Sequence, residues 1–254
     1  MPEFHDQTAP TFSVIVPALN EAARIVSAIR SVTSQKATVE VLVVDGGSAD
    51  LTVSLARREG VRVAYSQSGR GIQCNAGARR ASGDILIFLH ADSCLSNDAF
   101  KTLSQYFSNP SVQIGTFRLK FDHPHWLLCF YAACTRFDSV FTRFGDQCIV
   151  VRKSFFESMG GFPEWQLLED VHLLRRARRV TKIYSFPTPV ITSARRFLRM
   201  GVVRCQLING WLILQYLLGV APAQLAQQYR DFRRGRVRGR QHVEAAALVQ
   251  NEVK

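Results

Sequence analysis

The sequence predicts an α/β fold: a mostly parallel sheet flanked by helices, with a helical appendage at its C-terminal end. Three observations carry that expectation. The runs Val41–Val44 and Ile85–Leu89 are apolar without interruption and stop at carboxylates or small polar residues, the pattern of strands covered on both faces. From Phe12 to Phe107, such runs alternate with stretches whose apolar residues recur at helical spacing. From about Arg195 to Leu218, a long apolar stretch reads as helix.

Taken in order, Phe12–Val16 is a first strand stopped by Pro17, and Glu21–Thr33 a helix with Ile25, Ile29 and Val32 on one face and Asn20 as its cap. Val39–Val44 is the second strand, and Ser48-Ala49-Asp50 opens a helix through Arg58 that Gly60 ends. Val61–Tyr65 is a third strand. The turn Ser68-Gly69-Arg70-Gly71 leads into a helix through Ala81, Ile85–Leu89 is the fourth strand, and a helix runs from about Asn97 to Phe107. This alternation predicts parallel strands joined by right-handed crossovers. Regularity then falls. Ile114–Phe121 alternates as an antiparallel or edge strand does, His125–Phe141 is aromatic-rich and reads as helix, and Cys148–Val151 is a short buried strand. Gly160-Gly161-Phe162-Pro163 is a turn before a helix holding Leu167, Leu168, Glu169, Asp170, Val171 and Leu174. The expected organisation is a tail over 1–11, a main domain over 12–194, apolar helices over 195–229 and a basic tail over 230–254.

Composition narrows the function classes. With 47% hydrophobic and 20% charged residues, the chain folds rather than stays disordered. Cys74, Cys94, Cys129, Cys134, Cys148 and Cys205 show no metal-ligand spacing, so buried free thiols are expected rather than a zinc site or a disulfide framework. Met1–Thr11 carries acids and prolines without an apolar core, so no signal peptide is read there and a cytoplasmic location is expected. Charge is uneven: residues 1–169 hold 16 Lys/Arg and 16 Asp/Glu, residues 170–254 hold 16 and 4. The excess in the last third favours an anionic surface or substrate there. The neutral first part argues against extended nucleic-acid contact, so no nucleic acid is expected.

In open α/β sheets, ligands bind beyond the carboxyl ends of the strands. Asp45 ends one strand there and is followed by Gly46 and Gly47, which permit close backbone approach. Its carboxylate either accepts hydrogen bonds from a ribose or base or caps the next helix. Asp92 follows another strand. Mg²⁺ or Mn²⁺ on a diphosphate takes few protein carboxylates, and Asp92 supplies one. His90, two residues earlier, is a loop histidine, a substrate contact or a borderline metal ligand that suits manganese. Glu169-Asp170, after a glycine-rich turn, offers a carboxylate that can take a proton from an acceptor hydroxyl; the plain alternative is an acidic first helical turn that complements the dipole. Arg70 faces either a base or phosphate, or solvent. Asn75 lies one turn further along, and Glu21 follows Pro17 and Asn20 after the first strand, either as a nucleotide contact or as a first-turn acid.

Together Pro17…Asn20-Glu21, the Val-Asp-Gly-Gly-Ser of 44–48, Asn75-Ala76-Gly77, the Leu-His-Ala-Asp of 89–92 and Glu169-Asp170 resemble a family-2 glycosyltransferase over about residues 12–220. More narrowly they resemble the arsenosugar-biosynthesis-type group of that family. The resemblance implies the A-type nucleotide-sugar-binding fold (Rossmann-like, mostly parallel, flanked by helices). It further implies an inverting mechanism and a divalent metal, Mg²⁺ or Mn²⁺. It implies that Pro17, Asn20, Glu21, Asp45, Gly46, Arg70, Asn75 and Asp92 bind a nucleoside-diphosphate sugar, first among them a UDP-sugar. Asp92 and His90 would then meet the metal, and Asp170 with Glu169 would activate the acceptor hydroxyl, carried by a lipid or a small molecule. The sequence departs from the family at His90, where an Asp-x-Asp element has its first acid. It also lacks the Gln-x-x-Arg-Trp element of processive synthases, so single-sugar transfer is expected.

Cys205–Ala221 is a charge-free apolar run, shorter than the ~20 residues of a spanning helix and interrupted by Gln206, Asn209 and Gln215. It reads as a buried or interfacial helix. Six arginines and one aspartate follow between Arg230 and Arg240. They form either a solvated tail or an anchor on an anionic membrane surface, peripheral on the inner face of the cell membrane. Two rival functions stay open: a sugar nucleotidyltransferase, which would carry a glycine- and lysine-rich loop absent from Pro17–Glu21, and a non-catalytic basic adaptor for membrane or nucleic acid.

Overall fold

The computed structural model describes residues 10–232; the N-terminal tail through residue 9 and the arginine-rich run from 233 onward lie outside the described residues. Among the described residues, 10–165 and 169–193 form one compact unit, and 166–168 with 194–232 form a second.

The first unit is an α/β sandwich around an eight-stranded sheet. Its strands are β1 (Phe12–Ala18), β2 (Val39–Asp45), β3 (Arg62–Tyr65), β4 (Ile85–Phe88), β5 (Ser93–Leu95), β6 (Ile114–Phe121), β7 (Ile149–Arg152) and β8 (Ile183–Thr192), in the order β3-β2-β1-β4-β7-β6-β8-β5. The first four are mutually parallel, as the alternation of apolar runs predicts. β7 is antiparallel to both β4 and β6, β8 runs parallel to β6, and β5 antiparallel to β8. Helices α1 (Ile25–Thr33), α2 (Thr52–Arg58), α3 (Arg70–Ala78), α4 (Ala99–Phe107), α5 (Trp126–Cys134), α6 (Lys153–Ser158) and α7 (Glu169–Ala177) belong to this unit. The chain leaves β1 for β2 and β3 on one side and returns to β4 on the other. β1 and β4 therefore flank the reversal of strand order where such sheets bind ligands.

Several elements differ from the sequence expectation, each for a local reason. β1 continues through Pro17 to Ala18. Ile15 O accepts the Leu89 N–H, and the β4 ladder has ended by Phe88, so the absent N–H of Pro17 points where no ladder partner is required. α1 begins at Ile25 and Asn20 does not cap it: Asn20 is left-handed (φ 55°), and Glu21 O instead accepts the Arg24 and Ile25 N–H groups. α7 begins at Glu169 because Leu168, at φ 65°, cannot be helical. The aromatic stretch is helical only over Trp126–Cys134. β8 carries Pro187 and Pro189 and reads poorly as a strand. It survives because its register on β6 jumps from Phe117↔Phe186 to Arg118↔Pro189, leaving Pro187 in a bulge. Cys74, Cys148 and Cys205 are buried thiols as expected, but Cys129 is exposed.

One core cluster lies between the sheet and α3, α6 and α7, and includes Ile15, Val44, Leu86, Phe88, Phe156, Phe162 and Leu174. α3 reaches the sheet closely because Gly77 faces it: a Cβ there would collide with Ile15 Cγ2 and stand 3.1 Å from Val44 Cγ2. Gly77→Val is therefore expected to destabilise the fold by ~1–3 kcal/mol through overpacking. A thermal melt checks this, and an unchanged midpoint contradicts it.

In the second unit, the single helix expected over Arg195–Leu218 is two, α8 (Arg195–Met200) and α9 (Val202–Leu217), because Gly201 between them takes φ 86°. Residues 222–232 are again helical, and Gln215 and Gln228 exchange side-chain amide hydrogen bonds. Among the described residues, no helix is long and apolar enough to cross a membrane.

Candidate active site

The loops after β1 and β2 are sewn together. Asn20 N–H donates to Ser48 Oγ (2.9 Å), and Asn20 Oδ1 accepts the Ala49 N–H (2.9 Å). The Glu21 N–H donates to Thr52 Oγ1 (2.8 Å), and Ala22 N–H to Asp50 Oδ2 (3.1 Å). Asn20 thus positions the loop, its Oδ1 engaged by backbone; asparagine suits the left-handed conformation that this needs.

Asp45 ends β2 almost fully buried (2% exposed). Its Oδ2 accepts the N–H groups of Gly47 (2.9 Å) and Ser48 (3.0 Å), while its Oδ1 is buried without a hydrogen-bond partner. A buried acceptor left open is costly unless a ligand or water satisfies it. Asp45 does not cap the next helix, which begins only at Thr52: one of its oxygens holds the turn after β2 and the other has no hydrogen-bond partner.

The hub of the site is the first turns of α3. Gln73, buried there, donates to the carbonyls of Ala18 and Val44 (2.8 Å each), tying α3 to the ends of β1 and β2. Its amide lies under Gly46, where a Cβ would come within 3.1 Å of it. Gln73 escapes sequence reading because a lone glutamine in a helix carries no motif. Asn75 clasps the backbone of Phe162, donating to its carbonyl (2.8 Å) and accepting its N–H (3.0 Å). Its amide positions the Gly160–Pro163 turn, a structural use that the sequence expectation did not include. Gly71 is required where Pro163 O passes: a Cβ would sit 2.5 Å from that oxygen.

That turn delivers Glu169 and Asp170 at the start of α7. Arg70 Nη1 pairs with Glu169 Oε1 at 3.3 Å, so this arginine is neither simply solvated nor uncommitted. Glu169 is buried, and burial raises its pKa above the ordinary carboxylate value, with Asp170 adding to the rise and Arg70 opposing it. Arg70 is half-exposed, and the carboxylates of Glu169 first, then Asp170 and Asp92, raise its pKa and hold the guanidinium charged. Asp92, in the turn after β4, thus lies within electrostatic reach of the guanidinium that meets Glu169 and Asp170. The contact itself is between the start of α3 and the start of α7, through Arg70 and Glu169. Asp170 itself accepts from Gly145 N–H through Oδ2 and from Val171 N–H (2.8 Å) through Oδ1. Gly145 fits because a Cβ there would stand 2.9 Å from Asp170 Oδ2.

The segment that carries Gly145 is held by Arg143, a buried cation that donates to Thr116 Oγ1 (2.8 Å) and Tyr184 O (3.0 Å) and pairs with Asp138 (3.0 Å). Preceding it, α5 buries only Leu128 and exposes Trp126 and Phe130; Phe137 and Phe141 beyond it are also exposed.

A raised Glu169 pKa has a definite linkage. Stability from this group is fully present below the ordinary carboxylate pKa and declines as pH rises through the higher folded value. Glu169→Gln is expected to flatten that decline, read by urea unfolding between pH 4 and pH 8. A decline of unchanged slope would reject the assignment.

Among the described residues, no three His, Cys, Asp or Glu side chains cluster as a metal cage. Magnesium and manganese on nucleotides commonly take only one or two protein carboxylates and complete their shell with phosphate and water. Asp92, part-exposed beyond β4 with His90 beside it, fits that demand.

The sequence model described as glycosyl transferase family 2 matches residues 13–154. Glycosyltransferase AglE of Haloferax volcanii is 30% identical over 206 residues, 72% of this chain and 66% of its own. The 4,4'-diaponeurosporenoate glycosyltransferase of Staphylococcus haemolyticus is 36% identical over 100 residues, 36% of this chain and 27% of its own. The chain thus spans less than two thirds of the length of these curated relatives. Among solved structures, the mannosyltransferase PcManGT from Pyrobaculum calidifontis, in complex with GDP-Man and Mn²⁺, superposes with TM-score 0.64 at 19% identity, covering 89% of this chain and 70% of that one. S. aureus TarS 1-349 in complex with UDP gives 0.60 at 19% identity, covering 78% and 66%. These likenesses establish the fold.

Proposed function

Because the chain belongs to glycosyl transferase family 2 and has its A-type fold, we propose that it moves a single sugar from a nucleoside-diphosphate sugar, first among them a UDP-sugar, to an acceptor hydroxyl with inversion. The observation that carries this reading is the buried, unpartnered Asp45 Oδ1 at the carboxyl end of β2, tied through Gln73 to the helix whose Arg70 pairs with Glu169. The solved neighbours bound to UDP or GDP-Man support the donor class.

In this reading Asp45 Oδ1 accepts from the nucleoside. Asp92, with His90, holds a divalent cation, Mg²⁺ or Mn²⁺, which when bound offsets charge on the diphosphate. Arg70 stays charged beside Glu169 and adds positive potential near the leaving group. Asp170 takes the acceptor proton as the acceptor oxygen bonds to the anomeric carbon. The bond from that carbon to the diphosphate oxygen breaks on the opposite face, and the nucleoside diphosphate leaves with the electron pair. Asp170 is suited to this: its two backbone hydrogen bonds fix its orientation, and a carboxylate has about four lone-pair sites, so acceptor capacity remains. The narrower arsenosugar-type resemblance belongs to the same proposal and keeps a small-molecule acceptor beside a lipid one. The exposed aromatic side chains of and after α5, leading into the Gly145 segment, favour an acceptor with an apolar portion.

The experiment is a thermal-shift screen of UDP-, GDP- and dTDP-sugars with Mn²⁺ or Mg²⁺. At a hundredfold excess over Kd, a bound donor adds ~2.7 kcal/mol. One nucleotide class should raise the midpoint by several degrees, ~2–4 °C per kcal/mol for a chain of this size. No shift with any donor and metal would overturn the reading.

A further inference from the structure

We infer that α9 is a docking surface that lies in the plane of a lipid bilayer bearing anionic headgroups. The helix buries one face, through Cys205, Ile208, Leu212 and Tyr216. Its opposite face is apolar and open: Val203 is 57% exposed, Leu207 69%, Trp211 52%, Leu214 42% and, at the C-terminal cap, Leu218 76%. At 3.6 residues per turn these five positions fall within an arc of ~80° and extend along ~22 Å of helix. Such a strip is not a chance scatter of surface apolar residues.

Charge decides between occupants. No charged residue occurs from Cys205 through Tyr229, so nothing interrupts the strip. In the same unit, Arg195, Arg196 and Arg199 of α8, Arg204 of α9 and Arg230 of the following helix are exposed. Residues 194–254 hold 11 Lys/Arg against 3 Asp/Glu. A second copy would bring the same positive charge against it, and five side chains fall well short of the ~20–30 residues a side of a stable protein interface. A bilayer with anionic lipid matches both features, taking the apolar strip into the headgroup boundary while the arginines meet phosphates. Trp211 suits that depth. As no described helix is long and apolar enough to cross a membrane, the contact is in-plane.

The test is co-sedimentation of the full chain with phosphatidylcholine vesicles, with and without phosphatidylglycerol, and reads no sugar transfer. The chain should pellet with the anionic vesicles and bind neutral ones at least ~10-fold more weakly, with the difference shrinking as salt is raised. The double variant Leu207→Gln with Leu214→Gln, at exposed positions, should keep its circular-dichroism spectrum and melting midpoint and lose vesicle binding ~10-fold or more. Arg199→Gln with Arg204→Gln should lower binding to anionic vesicles and leave neutral ones unaffected. Equal pelleting by the leucine variant, or no pelleting of the wild-type chain with either vesicle, overturns the inference. So does a wild-type dimer that the leucine variant converts to monomer without any vesicle effect, or cross-linking from position 207 into residues 233–254 that vesicles fail to displace.

Discussion

Asp170→Asn is expected to lower kcat by ~10²–10⁴-fold while the donor Kd, read by calorimetry, changes little. The amide keeps the side chain's shape but takes no proton from the acceptor. It also changes one of the two backbone hydrogen bonds, to Gly145 or Val171, because an amide nitrogen cannot accept an N–H. A second probe separates lost basicity from lost position. In Gly145→Ala the added carbon would stand 2.9 Å from Asp170 Oδ2 and displace the carboxylate without neutralising it. It should lower kcat by less than Asp170→Asn and leave donor affinity unchanged. If Asp170→Asn turns over within a few-fold of wild type, the proton goes elsewhere and Asp170 is not the base.

Asp92→Ala should remove most of the gain in donor affinity that Mn²⁺ or Mg²⁺ provides, weakening metal-loaded binding at least ~10-fold, or ~1.4 kcal/mol. Affinity measured in a chelator should stay close to that of wild type, because Asp45 and Arg70 act without the cation. His90→Asp restores the acid pair usual in the family. A hard carboxylate replacing a borderline imidazole should shift preference from Mn²⁺ towards Mg²⁺. Donor binding to Asp92→Ala that still rises with Mn²⁺ as in wild type would remove Asp92 from the metal, and with it the division of labour between β4 and α7.

Parallel strands β1 to β4, the helices between them and the acids at their carboxyl ends were legible along the chain. Doubly covered strands must be apolar throughout, and Asp45 and Asp92 interrupt that pattern abruptly. Glu169-Asp170 was legible only with the other motifs in order. What escaped reading depends on contacts distant in sequence. Gln73 and Asn75 owe their roles to carbonyls and N–H groups 29 to 87 residues away. The pairing of Arg70 with Glu169 bridges 99 positions. Pro17 and Pro187 look like strand breakers until the neighbouring strands show where no N–H is required. The open face of α9 is apolar like its buried face, so hydrophobicity along the chain could not separate them. Local periodicity and the chemistry of single side chains determine which elements form and which carboxylates end them. Which polar atoms are already satisfied, and which remain to meet a ligand, is decided only when packing brings distant backbone groups into hydrogen-bonding range.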